Sequence, residues 1–401
     1  MRRLGFFLWA IMAVSGSAAA AELGERDRAA IEALEQRVFG LPGPNWKSPP
    51  APLTQRMAES RVPAVSVAMI ENGRVKWARA YGEAEAGSGR RATPATRFQA
   101  ASLSKPVAAA GALRLVQRGR LALDEDLGAR LAAWGVATAS PGGAGGVTLR
   151  RLLSHTAGIS VAGYPGYRRG EAVPTLLQAI RGVAPARTAR LRQFAPPGKQ
   201  VAYSGGGYSL AQMLMVERGR RDFGPLMERL VLKPAGMTRS TFDQALPGRA
   251  GGDAASGHDG EGALIAGGSL VYPELAAAGL WTTPSDYGRF AIALQRSWTG
   301  RGRALLKPDI ARAMGTPVLA DYGLGLTVVE RDGRRAISHG GANEGFQCRF
   351  VAFLDGAGEG LVVMTNGDNG GALAAAIQRT IGEAYRWVDT QGPPVPRAPD
   401  R

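Results

Sequence analysis

The chain has one cysteine, Cys348, in 401 residues, so no internal disulfide can form. It has three histidines, His155, His258 and His339, and no two stand at the close spacing of a His-x-x-x-His metal site. A zinc hydrolase is therefore poorly supported. No Gly-x-Ser-x-Gly elbow occurs, which removes the commonest signature of α/β-hydrolases. Charged residues make up only 20% and apolar residues 45%, which excludes wholesale disorder and a coiled coil. Lysine is confined to Lys47, Lys76, Lys105, Lys199, Lys233 and Lys307, so arginine carries nearly all of the formal net charge of +16. Those arginines are scattered instead of clustered with aromatics on one element, which argues against a nucleic-acid partner. The densest group, Arg218, Arg220 and Arg221, falls at a helix end, where the helix dipole favours cations. A loose attraction to anionic envelope surfaces is the partner reading that the charge supports.

Glycine and proline are plentiful, 56 and 25 residues, and imply many turns. Arg2 and Arg3 precede an apolar run from Leu4 to Val14, and small residues follow to Ala21. Residues 1–21 read as a secretory signal, because the run falls short of the roughly 20 apolar residues of a spanning helix. Its removal takes two Arg and leaves a mature charge of +14. The expected location is periplasmic or secreted, with residues 22–390 as one domain and 391–401 as a tail.

Residues 25–39 have the pattern of an amphipathic helix, followed by a Pro-rich link from Leu41 to Pro52. Val65, Val67 and Met69 alternate up to Asn72-Gly73, and Val75 and Trp77 alternate after it, which predicts a hairpin. Leu324–Val329 and Arg335–Ser338 flank Asp332-Gly333 as a second hairpin, and Phe346–Leu354 with Gly360–Thr365 make a third pair. Joined by turns, these six runs predict one mainly antiparallel sheet built from both ends of the chain, over about 60–100 and 320–390. Between them the period becomes helical. Phe223, Leu226, Met227, Leu230 and Val231 share one face, as do Leu210, Met213 and Leu214, giving a helical insertion over about 106–280. Thr283-Pro284-Ser285-Asp286 opens another helix with a cap, and residues 371–388 form a last one; the Ala/Gly-rich stretch 137–146 reads as a loop. The fold class is α+β.

Ser102-Leu103-Ser104-Lys105 carries the strongest chemical signal. On a helix, positions i and i+3 share a face, so the Lys105 amine lies beside the Ser102 hydroxyl. A serine becomes a useful nucleophile when a partly desolvated lysine, or a phenolate beside one, takes its proton. Alone, Ser-x-x-Lys arises by chance in many chains. Here it stands in order with Leu152-Leu153-Ser154-His155-Thr156-Ala157-Gly158, with Tyr203-Ser204-Gly205-Gly206-Gly207-Tyr208, and with His339-Gly340-Gly341-Ala342-Asn343-Glu344-Gly345-Phe346. Leu232-Lys233-Pro234-Ala235-Gly236-Met237 and Ala278-Gly279-Leu280-Trp281-Thr282-Thr283 complete the pattern. From about residue 64 to 388 the chain resembles the serine β-lactamase and penicillin-binding-protein superfamily, in particular class C β-lactamase-like hydrolases.

That resemblance implies a β-lactamase/transpeptidase-like fold, a mainly antiparallel sheet flanked by helices with a helical region inserted. It implies Ser102 as the acylated nucleophile, Lys105 as its activating partner, and Tyr203 as the general base that later activates water. His339-Gly340-Gly341 matches the third motif, with Gly340, Gly341, Ala342 and Asn343 on the substrate side. The oxyanion hole would use the amides of Ser102 and Ala342, and donors of this kind are each worth roughly 2.7–4 kcal/mol. The two glycines would let a substrate backbone approach the strand. Two departures stand out. Gly205 replaces the Asn of Tyr-x-Asn, which in the family holds the acylamide group of the antibiotic, and His339 replaces a Lys, so a constant positive charge is lost. Both keep the acylation residues and weaken recognition of a β-lactam.

Of the remaining candidates, His155 reads as support for the site, His258 beside Asp259 as an exposed loop residue, and Cys348 as a packed or half-exposed thiol. Tyr164 and Tyr167 line the cleft or lie on a surface loop. The expected function is an exported serine hydrolase acting on an ester or amide of a small molecule or peptide through an acyl-enzyme, with no cofactor and no metal. The alternatives are a β-lactamase proper, a D-alanyl-D-alanine carboxypeptidase, or a non-catalytic binder of penicillin or cell-wall peptide.

Overall fold

Asn72 and Gly73 turn the chain where the flanking alternation requires it. The structure, a computed structural model, describes residues 23–42, 48–138, 146–245, 253–331 and 333–387. Strands β1 (Ala64–Glu71) and β2 (Arg74–Gly82) meet at Asn72 and Gly73, whose φ values of 51° and 69° are those of a two-residue hairpin loop. β3 (Phe98–Gln99) and β4 (Trp281–Thr282) form a small separate pair. β5 (Thr327–Arg331), β6 (Arg334–Asn343), β7 (Phe346–Phe353) and β8 (Gly360–Thr365) complete a six-stranded sheet in the order β2-β1-β8-β7-β6-β5. Every neighbouring pair is antiparallel, and β1 docking on β8 joins the N-terminal hairpin to the C-terminal strands, with β2 and β5 at the edges. The run expected from Leu324 begins only at Thr327. Gly323–Leu326 make a tight turn instead, with Gly323 N–H donating to the Leu326 carbonyl at 2.8 Å and Gly325 N–H to Leu153 at 3.0 Å.

Helices α1 (Glu25–Gln36) and α2 (Leu53–Ser60) precede the sheet. The insertion holds α3 (Ser104–Gln117), α4 (Gly128–Trp134), α5 (Leu149–Leu153), α6 (Leu176–Arg181) and α7 (Gly205–Gly219). It continues with α8 (Phe223–Met227), a π turn (Glu228–Leu232), α9 (Lys233–Ala235) and α10 (Leu275–Ala278). Then come α11 (Pro284–Thr299), α12 (Pro308–Met314) and α13 (Gly370–Ala384). Thr283 caps α11 by accepting the Asp286 N–H at 3.2 Å, as the sequence leads one to expect. α13 stops at Ala384, short of residue 388.

β1 is buried along its whole length because both of its faces are covered. Val65, Val67 and Met69 pack with Leu34 of α1 and Leu373 and Ile377 of α13, while Ala64 and Ile70 face the core that holds Tyr287 and Phe290 of α11 and the inserted helices. The alternation seen in the sequence thus sorts residues between two cores. The signal segment 1–21, the tail 391–401 and most of the Ala/Gly-rich stretch, 139–145, lie outside the described residues. Among those described, no helix is long and apolar enough to cross a membrane. The layout leaves one seam between β6 of the sheet and the start of α3.

Candidate active site

Ser102 sits at that seam on a sharp turn. Ala101 has φ +47°, sparsely populated for a residue with a Cβ, and a 3-10 turn over Ala101–Leu103 leads into α3. Ser104 braces the turn: its hydroxyl donates to the Ala101 carbonyl at 2.6 Å and accepts the Leu280 N–H at 2.9 Å. The expected face-sharing holds. Lys105 Nζ donates to Ser102 Oγ at 2.9 Å and to the Ala277 carbonyl of α10 at 2.9 Å. Lys105 is buried and has no ion pair among the described residues, and burial alone pushes its pKa from 10.5 down to about 7. An amine in this state can take a proton near neutrality.

Tyr203 approaches from the start of α7. Its phenol hydrogen-bonds Ser102, and its ring centroid lies 4.9 Å from Lys105 Nζ; burial pushes its pKa up. His155 holds it there. The Nδ1 of that buried imidazole accepts the Ser204 N–H at 3.0 Å, and its ring centroid is 4.3 Å from that of Tyr203. Because Nδ1 accepts, the ring is neutral, and burial followed by the charge of Lys105 drives its pKa well down. His155 therefore acts on Tyr203 through the backbone next to it, and Ser204 Oγ in turn caps α7 by accepting the Gly207 N–H at 2.8 Å.

β6 closes the other side. β5 pairs with it only as far as Thr327 opposite Ser338, so His339–Asn343 run on past the end of their outer neighbour. A Cβ on Gly341 would lie 2.4 Å from the Ala100 carbonyl, 2.6 Å from Cys348 Sγ and 3.1 Å from the Ser102 amide nitrogen. Gly341 therefore admits the nucleophile's own turn, a closer constraint than the substrate approach expected of it. Ala342 is half-exposed and Gly340 likewise. Asn343 is buried, its Nδ2 donating to Gln99 Oε1 at 2.9 Å and to the Ala278 carbonyl at 3.3 Å, so it ties β6 to β3 and α10. Cys348 is a fully packed thiol, donating to the Ala100 carbonyl at 2.9 Å.

His339 on β6 is buried and neutral. Burial, and then the charge of Lys105, push its pKa down to about 3. Its Nε2 lies 2.9 Å from the Tyr322 hydroxyl. Tyr322 stands outside every motif that the sequence offers. At Gly205 the missing Asn has no vacancy behind it: a Cβ would already be 3.1 Å from the Ala162 carbonyl and 3.1 Å from a Tyr164 ring carbon. Tyr164 is half-buried with its hydroxyl 2.6 Å from Ser209 Oγ, and Tyr167 is buried, accepting the Arg187 N–H at 3.1 Å.

Two buried groups differ from, or escape, the sequence reading. His258 is not exposed. It is wholly buried, with Nε2 accepting the Ala86 N–H at 3.2 Å and Nδ1 donating to the Asn366 carbonyl at 2.9 Å, because its loop packs between the segments that follow β2 and β8. Glu274, just before α10, has both carboxyl oxygens buried without a side-chain or neighbouring partner, and burial pushes its pKa up to about 7. Among the described residues no three His, Cys, Asp or Glu side chains gather in a way that could hold a metal ion.

A family model described as Beta-lactamase matches residues 52–386, a span that includes Ser102, Tyr203 and His339. The chain belongs to the beta-lactamase family. Within it, "Protein flp" of Staphylococcus aureus (strain N315) is 25% identical over 233 residues, covering 58% of this chain and 43% of that protein. "D-aminopeptidase" of Brucella ovis is 26% identical over 293 residues, covering 72% and 53%. The chain spans about half the length of these relatives. Among solved structures, the octameric penicillin-binding protein homologue from Pyrococcus abyssi superposes with a TM-score of 0.68 at 20% identity, covering 84% of this chain and 76% of that one. D-amino acid amidase from Ochrobactrum anthropi SV3 gives 0.66 at 19%, covering 90% and 99%. At these identities the likeness shows the fold: the β-lactamase/transpeptidase fold, α+β with a mainly antiparallel sheet flanked by helices.

Proposed function

We propose that this member of the beta-lactamase family is an exported serine hydrolase that cleaves an ester or amide through an acyl-enzyme. The observation that carries it is the 2.9 Å contact between Ser102 Oγ and a buried Lys105 amine whose pKa lies at about 7. Lys105 accepts the Ser102 proton as Oγ attacks the carbonyl carbon. The oxyanion is met by the amides of Ser102 and Ala342. Collapse breaks the bond to the leaving group, which takes a proton delivered from Lys105 through the Tyr203 phenol. Water then attacks the ester on Ser102 by the reverse route. The high pKa of Tyr203 favours a relay that stays a phenol in the resting site over a standing phenolate.

The substrate side follows from Gly205, Tyr164 and His339. The Tyr164 ring packs against Gly205, where the family's Asn would stand, and a neutral imidazole takes the place of the family's third-motif cation. Esters and amides without a carboxylate on the leaving group fit better than a β-lactam, and D-amino acid derivatives are a candidate class, given the names D-aminopeptidase and D-amino acid amidase among the similar proteins. A fluorophosphonate probe is expected to label Ser102 and no other residue. Turnover of a p-nitrophenyl ester by Ser102→Ala at the wild-type rate would sink the proposal.

A further inference from the structure

The surroundings of His339 include a residue from outside every motif. Tyr322, in the turn before β5, is buried with its hydroxyl 2.9 Å from His339 Nε2. On the opposite side of the ring, Nδ1 faces the carbonyl oxygen of Gly340. A carbonyl can only accept, so Nδ1 carries the proton; Nε2 of the neutral ring can then only accept, and the Tyr322 O–H is its donor. Both nitrogens are used within the protein, and no N–H is left for an anion in the cleft.

The groups packed around this pair keep it so. Lys105 of α3 adds positive charge, while His155, after α5, lies edge-on to Tyr322 at 4.8 Å between centroids and is itself neutral. Tyr203 is 6.2 Å from the His339 ring, and Tyr208 of α7 also faces Tyr322. Asp321 is the acid beside Tyr322, and it acts on the phenol, raising its pKa, without any contact to the imidazole. Among the described residues no carboxylate is paired with His339 to draw a second proton onto it.

We propose that Tyr322 is a specificity-determining residue: by donating to His339 Nε2 it keeps the third-motif imidazole neutral and occupied, so the cleft takes leaving groups without a carboxylate and disfavours those that carry one. Tyr322 acts through His339 and is a positioning residue. The inference rests on the reading of Ser102 as nucleophile, and it adds a device that sets which leaving groups that nucleophile meets.

A matched pair of phenylacetyl esters tests it, one with a meta-carboxylate and one with a meta-carboxamide on the phenol leaving group. In Tyr322→Phe, the ratio of kcat/KM values, carboxylate over carboxamide, is expected to rise about tenfold near pH 6, the worth of one charge-assisted hydrogen bond. The gain is expected to persist at about pH 8, because burial and Lys105 keep the imidazole neutral and the freed Nε2 donates to the carboxylate as the other tautomer. A ratio within about twofold of wild type at both pH values overturns the proposal, whether or not the absolute rates fall. A second measurement needs no variant: nitrogen NMR of His339 in the wild-type protein should show the Nδ1–H tautomer, with bare Nε2, throughout the range between about pH 8 and pH 5. A proton on Nε2 in that range overturns it as well. Ser102→Ala keeps the two readings apart. Wild-type turnover of either ester in that variant refutes the serine hydrolase, whereas full dependence on Ser102 with an unmoved ratio refutes only the role of Tyr322.

Discussion

Replacing Lys105 by methionine should make the protein inactive and, near neutral pH, more stable. The pKa of Lys105 falls from 10.5 in the unfolded chain to about 7 in the folded one. At about 1.4 kcal/mol per unit, holding the ammonium in this site costs about 5 kcal/mol. The sign follows from proton counts. Between pH 7 and 10.5 the unfolded chain binds the proton and the folded one does not, so wild-type stability rises with pH across that window. Below it the full penalty applies; above it none does. Methionine fills a similar volume without a charge, and the hydrogen bonds it gives up, to Ser102 Oγ and the Ala277 carbonyl, offset about 1–3 kcal/mol of the gain. The net advantage of Lys105→Met near pH 7 is then about 2–4 kcal/mol. The more secure quantity is its slope: the advantage should shrink by about 1.4 kcal/mol for each pH unit above 7. Urea unfolding of both proteins at about pH 7.5 and pH 9.5 measures it as a difference of about 2.5 kcal/mol, with other titrating groups cancelling between the two chains. A stability difference that does not change over that interval would refute the neutral-amine reasoning, and with it the assignment of Lys105 as proton acceptor.

His155→Ala should leave the Ser204 amide without an acceptor and remove the ring behind Tyr203; about 2–4 kcal/mol of stability and at least about tenfold in kcat should go, with KM little changed, and a KM effect alone would contradict the positioning role. Gly205→Asn should not confer hydrolysis of a chromogenic cephalosporin, because Tyr164 and the Ala162 carbonyl already fill the space; only with Tyr164→Ala added is binding of the antibiotic expected to tighten, which adduct formation followed by mass spectrometry will show. Glu274→Gln should stabilise the fold. The raised pKa, 4.5 to about 7, means the carboxyl is favourable when protonated below pH 4.5 and costs progressively more as pH rises to about 7, about 3 kcal/mol at the plateau, so an advantage of the variant that is equal at about pH 5 and pH 8 would count against it.

The strands and the three motifs were legible because each leaves a local trace. Asn72-Gly73 demands one turn type, Val65, Val67 and Met69 demand one face, and Ser102 and Lys105 are one helical turn apart. Tyr322, Glu274 and His258 left none. Each is set by what the chain brings to it from far away: Tyr322 by His339 across β6, Glu274 by the packing of α7 on α10, His258 by Ala86 and Asn366. A polar residue between glycines reads as exposed when only neighbours in sequence are weighed, and for His258 that weighing failed because its partners are backbone groups of two other segments. Gly341 shows the complementary failure. Its need for a bare Cα was evident, but the atom it makes room for, the Ala100 carbonyl, could be found only in three dimensions.

Of the eight described non-glycine residues with a positive φ, four lie around the site: Ala101 before the nucleophile, His155 behind the Tyr203 loop, Val161 beside Gly206 and Ala320 two residues before Tyr322. Backbone of this kind costs about 1–3 kcal/mol at each position and persists only where surrounding packing enforces it. Added to it are an unpaired lysine and two neutral histidines in one buried cluster. Removing Lys105 would relieve the cost of its burial and also take away the partner of Ser102. At Lys105 the ammonium is least tolerated and the free amine most useful, so stability and acylation are opposed through a single proton.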